Sequence, residues 1–242
     1  MSKVGILILH GFTGNPRDAY DLRRYLAQTF TGPIVIPRLP GHGTKPEDLF
    51  KYNGRDWYAA ARRAYIALAE KGPVVIVGVS FGANLMFRLA ADPEIRSKPQ
   101  GLIALGAPAR MARQSIIRIV VKFMKIWTST YIKRGPHQNE KIPGYRQSAY
   151  DRIPLVALEE FLRFLERYMR PALLARVTAP TLLVQSTIDP VVAPWSLAFF
   201  QRQLGSSDIT VLSWDHHRHL LIQGGRKKQL FARIVEFIRR VS

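Results

Sequence analysis

The sequence predicts an α/β fold: a doubly wound, mostly parallel sheet with one helical insertion. Short apolar runs alternate with helical segments along the chain, and most of these runs are continuously apolar. Strands buried on both faces have that pattern. Alternation of strands and helices places helices over both faces of a parallel sheet. The 242 residues, 47% of them apolar, are enough to bury one large core.

Six segments are predicted to be strands because they are short and apolar: residues 4–9, 34–36, 74–79, 102–105, 181–185 and 209–212. Helical periodicity predicts the segments between or after them: residues 17–28, 56–70, 81–91, 195–204 and 227–241. In a sheet of this type the active site forms at the carboxyl ends of the strands. The loops that follow the strands are therefore where chemistry is expected.

One stretch interrupts the alternation. No strand is predicted between Leu105 and Thr181, and two helical patterns occur instead, over 113–132 and 155–169, joined by a loop at 135–145. We therefore predict a core made of residues 1–108 and 176–242. Residues 109–175 would form a helical cap or lid inserted after the fourth strand, above the strand ends.

Composition excludes several classes of protein. Cysteine is absent, which excludes disulfides and thiolate metal sites. The longest apolar-rich stretch, residues 116–127, is interrupted by three basic side chains and is too short to span a bilayer. The apolar run at 4–9 is shorter than the core of a secretory signal. A cytoplasmic location is expected.

The chain is strongly basic, with 36 Lys and Arg, 17 Asp and Glu, and a net charge of +19. Such a charge permits attraction to phosphate backbones, anionic lipid or acidic substrates, without selecting one of them. Zinc-finger spacing, an RNA-recognition signature and a basic zipper are all missing from the sequence. No nucleic-acid partner is expected.

The strongest local signal is the pentapeptide Gly78-Val79-Ser80-Phe81-Gly82, a G-x-S-x-G motif between a predicted strand and a predicted helix. A sharp turn there would strain the backbone of the serine and lift its hydroxyl off the sheet. The glycines would let neighbouring chain pass close by. The motif favours Ser80 as a nucleophile over a serine in an ordinary turn.

A serine hydroxyl needs a base, which is commonly a histidine oriented by a carboxylate. Asp189 follows the strand at 181–185 and is the acid candidate. His219 follows the last strand and is the preferred base, because apolar neighbours at 220–222 would hold its loop in place. His217 and, less favoured, His216 follow the same strand and remain alternatives.

Two backbone N–H groups should form an oxyanion hole. The Phe81 N–H directly follows the candidate nucleophile. The Phe12 N–H lies in the loop His10-Gly11-Phe12-Thr13-Gly14 after the first strand, where two glycines would let the chain double back. His10 is expected to hold this loop by hydrogen bonds and to transfer no proton.

These motifs resemble the α/β-hydrolase superfamily, in particular bacterial thermostable carboxylesterases and monoacylglycerol lipases. The resemblance rests on residues 10–14, Leu39-Pro40-Gly41-His42-Gly43, residues 78–82, Asp189 and His219, in that order. It implies a serine esterase with a small cap and no cofactor or metal. By position it implies Ser80 as nucleophile, Asp189 as acid, His219 as base, and Phe12 and Phe81 as oxyanion donors. One departure is His217, where that group usually has serine.

The expected activity is hydrolysis of short- to medium-chain acyl esters or monoacylglycerols through an acyl-enzyme. A thioesterase or amide hydrolase would use the same residues and stays open. A basic membrane- or nucleic-acid-binding protein without catalysis is the alternative from another class. The oligomeric state is not predicted by the sequence.

The composition of the predicted cap indicates what the protein could bind. Residues 110–134 contain seven Lys or Arg and no Asp or Glu, and Arg118, Lys122 and Lys125 share a helical face. This helix would either roof a pocket, which we favour, or dock on an anionic membrane surface. The second helix would offer an acyl chain apolar walls through Leu158, Phe161, Leu162, Leu165 and Met169.

Overall fold

The computed structural model describes residues 3–126, 131–133, 149–215, 219–223 and 225–242. Its strands, in chain order, are β1 (Gly5–Leu9), β2 (Ile34–Val35), β3 (Val74–Val79), β4 (Gly101–Leu105), β5 (Tyr131–Lys133), β6 (Arg152–Pro154), β7 (Thr181–Ser186) and β8 (Ile209–Trp214). Its α-helices are α1 (Tyr20–Leu26), α2 (Gly54–Ala69), α3 (Phe81–Ala91), α4 (Gln114–Ile126), α5 (Leu155–Tyr168), α6 (Pro171–Leu174), α7 (Ser196–Gln203) and α8 (Lys227–Val241). Short 3₁₀ helices occupy Pro16–Ala19, Pro46–Lys51 and Leu221–Gln223.

Six strands form one sheet in the order β2-β1-β3-β4-β7-β8, and every pair in it is parallel. The predicted α/β fold with a doubly wound sheet is therefore confirmed. Because all six strands run in the same direction, their carboxyl ends meet at one edge. The loops after β1, β3, β7 and β8, which carry the candidate site residues, all leave the sheet at that edge.

The two faces of the sheet are both buried, which explains the continuously apolar strands. On β1, Leu7 and Leu9 join a core cluster with α2, α3 and α5, while Ile6 and Ile8 join a second cluster with α1 and α8. Alternate side chains of one strand thus enter different cores.

Helix α2 begins two residues before its predicted start. The Asn53 side chain accepts a hydrogen bond from the Arg55 N–H (2.8 Å), and the Asp56 carboxylate accepts one from the Asn53 N–H (2.9 Å). This reciprocal capping box satisfies two N–H groups that a helix start otherwise leaves unpaired. It offsets the low helix propensity of Gly54 in the first turn.

The prediction that the stretch between Leu105 and Thr181 lacks strands is wrong. Strands β5 and β6 pair antiparallel, with Ile132 opposite Ile153. Three residues are too few to display a strand periodicity, and the partners are distant in sequence, so only tertiary contact creates the pair. The helix predicted over 113–132 is described from Gln114 to Ile126, but its predicted residues 131–132 belong to β5. The loop predicted at 135–145 lies outside the described residues.

Tyr150 and helix α5, within the predicted insertion, contact the N-terminal part of the chain. The Tyr150 hydroxyl donates to the Gly41 carbonyl oxygen (2.8 Å) and accepts from the Thr44 N–H (3.0 Å). Helix α5 packs against α2 and α3, and the side chain of Phe164 fills the space beside Gly54 at the start of α2. The limits 109–175 for a separate cap remain a prediction.

A search of the described residues finds no helix with the length and apolar character needed to cross a membrane. The same part of the chain contains no cluster of three or more His, Asp or Glu side chains placed to hold a metal ion.

Candidate active site

Ser80 lies in a strained turn between β3 and α3. Its backbone has φ 51° and ψ −119°, a region that non-glycine residues seldom occupy. The Ser80 N–H donates to the Leu105 carbonyl oxygen on β4 (2.8 Å), and the Ser80 carbonyl accepts from the Ala83 N–H (2.9 Å). These bonds hold the strained residue between the sheet and the first turn of the helix.

Residues 78 and 82 must be glycine because neighbouring backbone leaves no space for a side chain. A Cβ on Gly78 would lie 2.3 Å from the Ala83 Cα, and one on Gly82 would lie 2.0 Å from the Leu9 carbonyl oxygen. Any side chain at either position would therefore displace backbone. The spacing of the motif follows from how tightly α3 approaches β3 and the end of β1.

Ser80, His219 and Asp189 form one chain of hydrogen bonds. The His219 Nε2 lies 2.9 Å from the Ser80 Oγ, and its Nδ1 lies 2.8 Å from the Asp189 Oδ2. The carboxylate only accepts, so Nδ1 carries the proton and Nε2 is free to accept the hydroxyl proton. The structure thus brings together the three residues selected from the sequence. His216 and His217, the alternative bases, lie outside the described residues.

The Asp189 carboxylate is buried and fully engaged. Its Oδ1 accepts from the backbone N–H groups of Val191 (2.8 Å) and Val192 (3.1 Å), and its Oδ2 accepts from the Gln185 Nε2 (3.0 Å) as well as from His219. Sequence reasoning missed Gln185. The available signal was a polar amide in an otherwise buried strand, because such a group needs a partner.

Gly106 has a left-handed backbone and packs beside the imidazole of His219. It has φ +64°, and a Cβ there would lie 3.7 Å from the Nδ1 and Cε1 atoms of His219 and 3.4 Å from its carbonyl oxygen. The residue follows β4 directly, at the same edge of the sheet as the nucleophile. Sequence reasoning missed this glycine as well, because no motif surrounds it.

The loop after β1 passes beside the nucleophile. The Gly14 N–H donates to the Gly11 carbonyl oxygen (3.1 Å), closing a four-residue turn with Phe12 at its second position. A Cβ on Gly11 would lie 3.4 Å from the Ser80 Cβ. The left-handed residue of the turn is Thr13, with φ 61° and a buried side chain. Of the two glycines expected to let the loop double back, Gly14 supplies space, because a Cβ there would lie 2.6 Å from the Asp18 Oδ2 and 3.2 Å from the Gly11 carbonyl oxygen. Thr13 supplies the left-handed backbone of the reversal.

The N–H groups of Phe12 and Phe81 donate to no other group within the described ranges. Phe81 is the first residue of α3, so its N–H belongs to the unpaired group at a helix start. Both donors are therefore unused in the described structure, and their service as an oxyanion hole stays a prediction.

His10 holds this loop, as the sequence predicts. Its Nδ1 donates to the Gly11 carbonyl oxygen (3.0 Å), and its Nε2 accepts from the Leu39 N–H (3.2 Å). Burial lowers the pKa of His10 to about 4, so the ring is neutral at neutral pH. Neutrality is also required by the bonding, because Nε2 acts as an acceptor.

His42 is a second buried imidazole under the same loop. Its Nδ1 donates to the Pro40 carbonyl oxygen (2.9 Å), which also accepts from the Trp57 Nε1 (3.1 Å). Burial, and secondarily the nearby His10, lower the pKa of His42 to about 3. Its Nε2 has no partner among the described residues, and its ring packs edge-on against Phe12 and Trp57.

The chain is similar to proteins named as a monoacylglycerol lipase and a carboxylesterase. The chain is 26% identical over 237 residues to the thermostable monoacylglycerol lipase of Bacillus sp. (strain H-257), covering 97% of this chain and 90% of the relative. It is 21% identical over 244 residues to a carboxylesterase of Bacillus subtilis (strain 168), covering 98% and 93%.

A solved structure described with LipS and LipT, two metagenome-derived lipolytic enzymes, superposes with a TM-score of 0.88 at 26% identity. That superposition covers 99% of this chain and 94% of the other. A profile of the alpha/beta hydrolase family matches residues 6–225, almost the whole length of the chain. The parallel sheet, the strained serine turn and the family match agree: this chain belongs to the alpha/beta hydrolase family.

Proposed function

We propose that the protein hydrolyses carboxylic esters through an acyl-enzyme formed on Ser80. The observation that carries this proposal is the chain of hydrogen bonds from the Ser80 Oγ through His219 to Asp189. The similarity to proteins named monoacylglycerol lipase and carboxylesterase supports an ester as the substrate. His219 is the general base, and Asp189 is the acid that orients it.

In the acylation step the Ser80 Oγ attacks the ester carbonyl carbon while its proton passes to the His219 Nε2. The carbonyl oxygen becomes an oxyanion, and the N–H groups of Phe12 and Phe81 donate to it. Asp189 stabilises the imidazolium. Collapse of the intermediate breaks the bond to the leaving oxygen, which takes the proton from His219 and departs as an alcohol.

In the deacylation step water attacks the acyl group carried by Ser80. His219 accepts a proton from the water, the same two N–H groups bind the oxyanion, and the Ser80 Oγ leaves and regains its proton. The carboxylic acid is released. The cycle balances with ester and water alone, so these residues need no cofactor.

Among esters, we propose short- to medium-chain acyl esters or monoacylglycerols. The surroundings of the candidate site are apolar: α5 turns Leu158, Phe161 and Leu162 into the core cluster that also contains Phe81, with Phe12 packed against it. Apolar walls of this kind suit an acyl chain. Thioesters and amides would react by the same steps, and a panel of substrates of graded acyl length separates these classes.

We also propose peripheral contact with an anionic membrane surface through α4. Val121 is buried on the inner side of this helix, whereas Ile116, Ile119 and Phe123 are 58%, 56% and 58% exposed. Basic side chains such as Lys122 border this outer apolar face. An exposed apolar face bordered by basic residues is the pattern of an interfacial helix. The buried inner side supports the lid interpretation and the exposed outer side the interfacial one, so the two interpretations concern different faces of one helix.

A fluorophosphonate probe tests the proposal directly. The Ser80 Oγ should displace fluoride from phosphorus and become covalently labelled, with parallel loss of p-nitrophenyl butyrate hydrolysis. Ser80→Ala should abolish both labelling and turnover while circular dichroism and thermal unfolding stay near those of the parent. Full esterase activity in folded Ser80→Ala, or a parent protein that neither turns over esters nor reacts with the probe, would refute the mechanism.

A further inference from the structure

The two candidate oxyanion residues both pack against one side chain of α5. The Phe161 ring stacks on the Phe12 ring with centroids 4.8 Å apart and planes at 10°. It meets the Phe81 ring edge-on at 5.3 Å and 88°. Trp57 on α2 also touches both rings, but only edge-on, at 5.7 Å and 5.5 Å. The face of Phe12 is therefore covered from the inserted segment of the chain.

We propose that Phe161 is a positioning residue that aims the Phe12 N–H at the developing oxyanion. The inference rests on the proposed function, because it assigns a task only if the Phe12 N–H serves as an oxyanion donor. Phe161 does not touch the reacting atoms. It acts through the ring of Phe12, whose backbone carries the donor.

The turn that carries Phe12 needs such support. Its closing bond runs from the Gly14 N–H to the Gly11 carbonyl oxygen, and its third residue, Thr13, has a left-handed backbone. The Phe12 N–H donates to no described residue, so no hydrogen bond of its own orients that group. The peptide plane that contains this N–H is held at its Gly11 carbonyl, which accepts from the Gly14 N–H and the His10 Nδ1. Packing of the Phe12 ring holds the other end of the same peptide, at the Phe12 Cα, before substrate arrives.

Helix α5 is a firm platform for this task. Phe161 is buried on a 14-residue helix that packs against α2 and α3, and α3 itself begins at Phe81. Phe161 is therefore held by packing against the helix that follows the Ser80 turn. On this proposal α5 is part of the catalytic scaffold, and removal of this helix would disable the oxyanion hole.

Phe161→Leu tests the inference, because it keeps an apolar side chain but removes the stacked face. Phe200→Leu is the matched control: this buried phenylalanine on α7 contacts the rings of Phe87 and Phe199, and no ring contact joins it to Phe12 or Phe81 in the described structure. We expect Phe161→Leu to lower kcat for p-nitrophenyl butyrate by roughly 10- to 100-fold with KM little changed, since small misplacements at a reacting centre cost that much. Phe200→Leu should lower Tm by a similar amount and keep kcat within about twofold of the parent, since its packing loss lies away from the donors.

An inhibitor supplies a readout that a purely structural role would leave unmoved. A trifluoromethyl ketone forms a hemiketal oxyanion with the serine, so its affinity reports the oxyanion hole. In Phe161→Leu its affinity should fall by the same factor as kcat/KM. A change confined to KM, an unchanged inhibitor affinity, or an equal kcat loss in Phe200→Leu would overturn the inference.

A double-mutant cycle adds a substitution at Phe12, the other residue of the stack. Phe12→Leu alone can still be measured if Phe161→Leu folds poorly. Phe12→Leu alone should reproduce the loss of kcat and of inhibitor affinity. Adding Phe161→Leu to it should cost less than about twofold more, because the second residue acts through the first. Independent, multiplicative losses would overturn the inference. Ester turnover by the parent decides the proposed function, whereas the ratio of variant to parent decides the role of Phe161.

Discussion

Ser80 occupies a backbone conformation that its neighbours make tolerable. The strain at φ 51° is balanced by the bond to Leu105 and by two glycines whose absent side chains let the strand, the turn and the helix converge. These requirements are local, so the motif predicts them. Gly106 contacts His219, which is distant in sequence, whereas Gln185 donates to Asp189 only four positions later; no motif surrounds either residue.

At the same scale, His219→Ala should lower kcat by several orders of magnitude, because residues of a triad act as a unit. His217→Ala is the control and should leave kcat within about tenfold of the parent, a factor worth about 1.4 kcal/mol. Steady-state kinetics on p-nitrophenyl butyrate compares them. The assignment of the base is wrong if the two variants exchange these results.

Gln185→Leu should lower kcat about tenfold, which corresponds to about 1.4 kcal/mol in the barrier. The substitution keeps the buried volume close to that of glutamine but removes the amide that donates to the Asp189 Oδ2, which leaves the carboxylate less firmly oriented toward His219. Kinetics and thermal unfolding should be measured on the same preparation. A folded variant with the kcat of the parent would show that the amide has no such role.

At the scale of elements, the predicted type was right for the strands of the main sheet and for the long helices, because each carries its own periodicity. Boundaries moved where caps acted, as at Asn53. Residues 131–132 of the predicted helix 113–132 belong to β5, and the pair β5–β6 was missed. Which apolar residues of α4 are buried was decided by contact with the rest of the fold, since nearly every face of that helix carries an apolar residue.

The exposed face of α4 leads to a prediction for that element. Ile119→Ser combined with Phe123→Ser should reduce binding to vesicles of phosphatidylglycerol by roughly 100-fold or more, because each apolar side chain that the membrane buries contributes about 1.5–3 kcal/mol. Sedimentation with vesicles measures the bound fraction. Hydrolysis of a soluble short-chain ester should stay within about twofold of the parent.

Neutralising Lys122 and Lys125, and leaving Arg118 in its ion pair with Glu166, should weaken binding to anionic vesicles and leave binding to phosphatidylcholine vesicles unchanged, because only the electrostatic part of the attraction is removed. Equal partitioning of the parent and both sets of variants would rule out α4 as a membrane-contact element. The proposed role as a lid, through the side of the helix that includes the buried Val121, would then remain.

At the scale of the whole molecule, two buried neutral histidines predict acid sensitivity. His10 and His42 have folded pKa values of about 4 and about 3, below the ordinary value of 6.5. The unfolded chain therefore binds protons first as pH falls. Stability present above about pH 6.5 is lost progressively below it, by about 2 kcal/mol for each histidine between pH 7 and pH 5.

Urea unfolding at pH 7 and pH 5 measures this loss. His42→Phe removes one titrating group and suits the aromatic surroundings, so the loss between the two pH values should shrink by about 2 kcal/mol. The unfolding free energy at pH 7 should fall as well, since the bond to Pro40 disappears. An unchanged pH dependence would contradict the burial of a neutral imidazole at this position.

The sequence by itself determined the α/β architecture, the strained serine turn, the family and the chain order of the candidate residues, because each is written in local patterns of apolarity, glycine and motif spacing. Tertiary structure alone decided what depends on distant segments meeting. It brought the His219 Nε2 to 2.9 Å from a hydroxyl 139 positions earlier, and it set Phe161 against Phe12. No local pattern encodes such contacts, since their partners become neighbours only when the sheet and its helices pack.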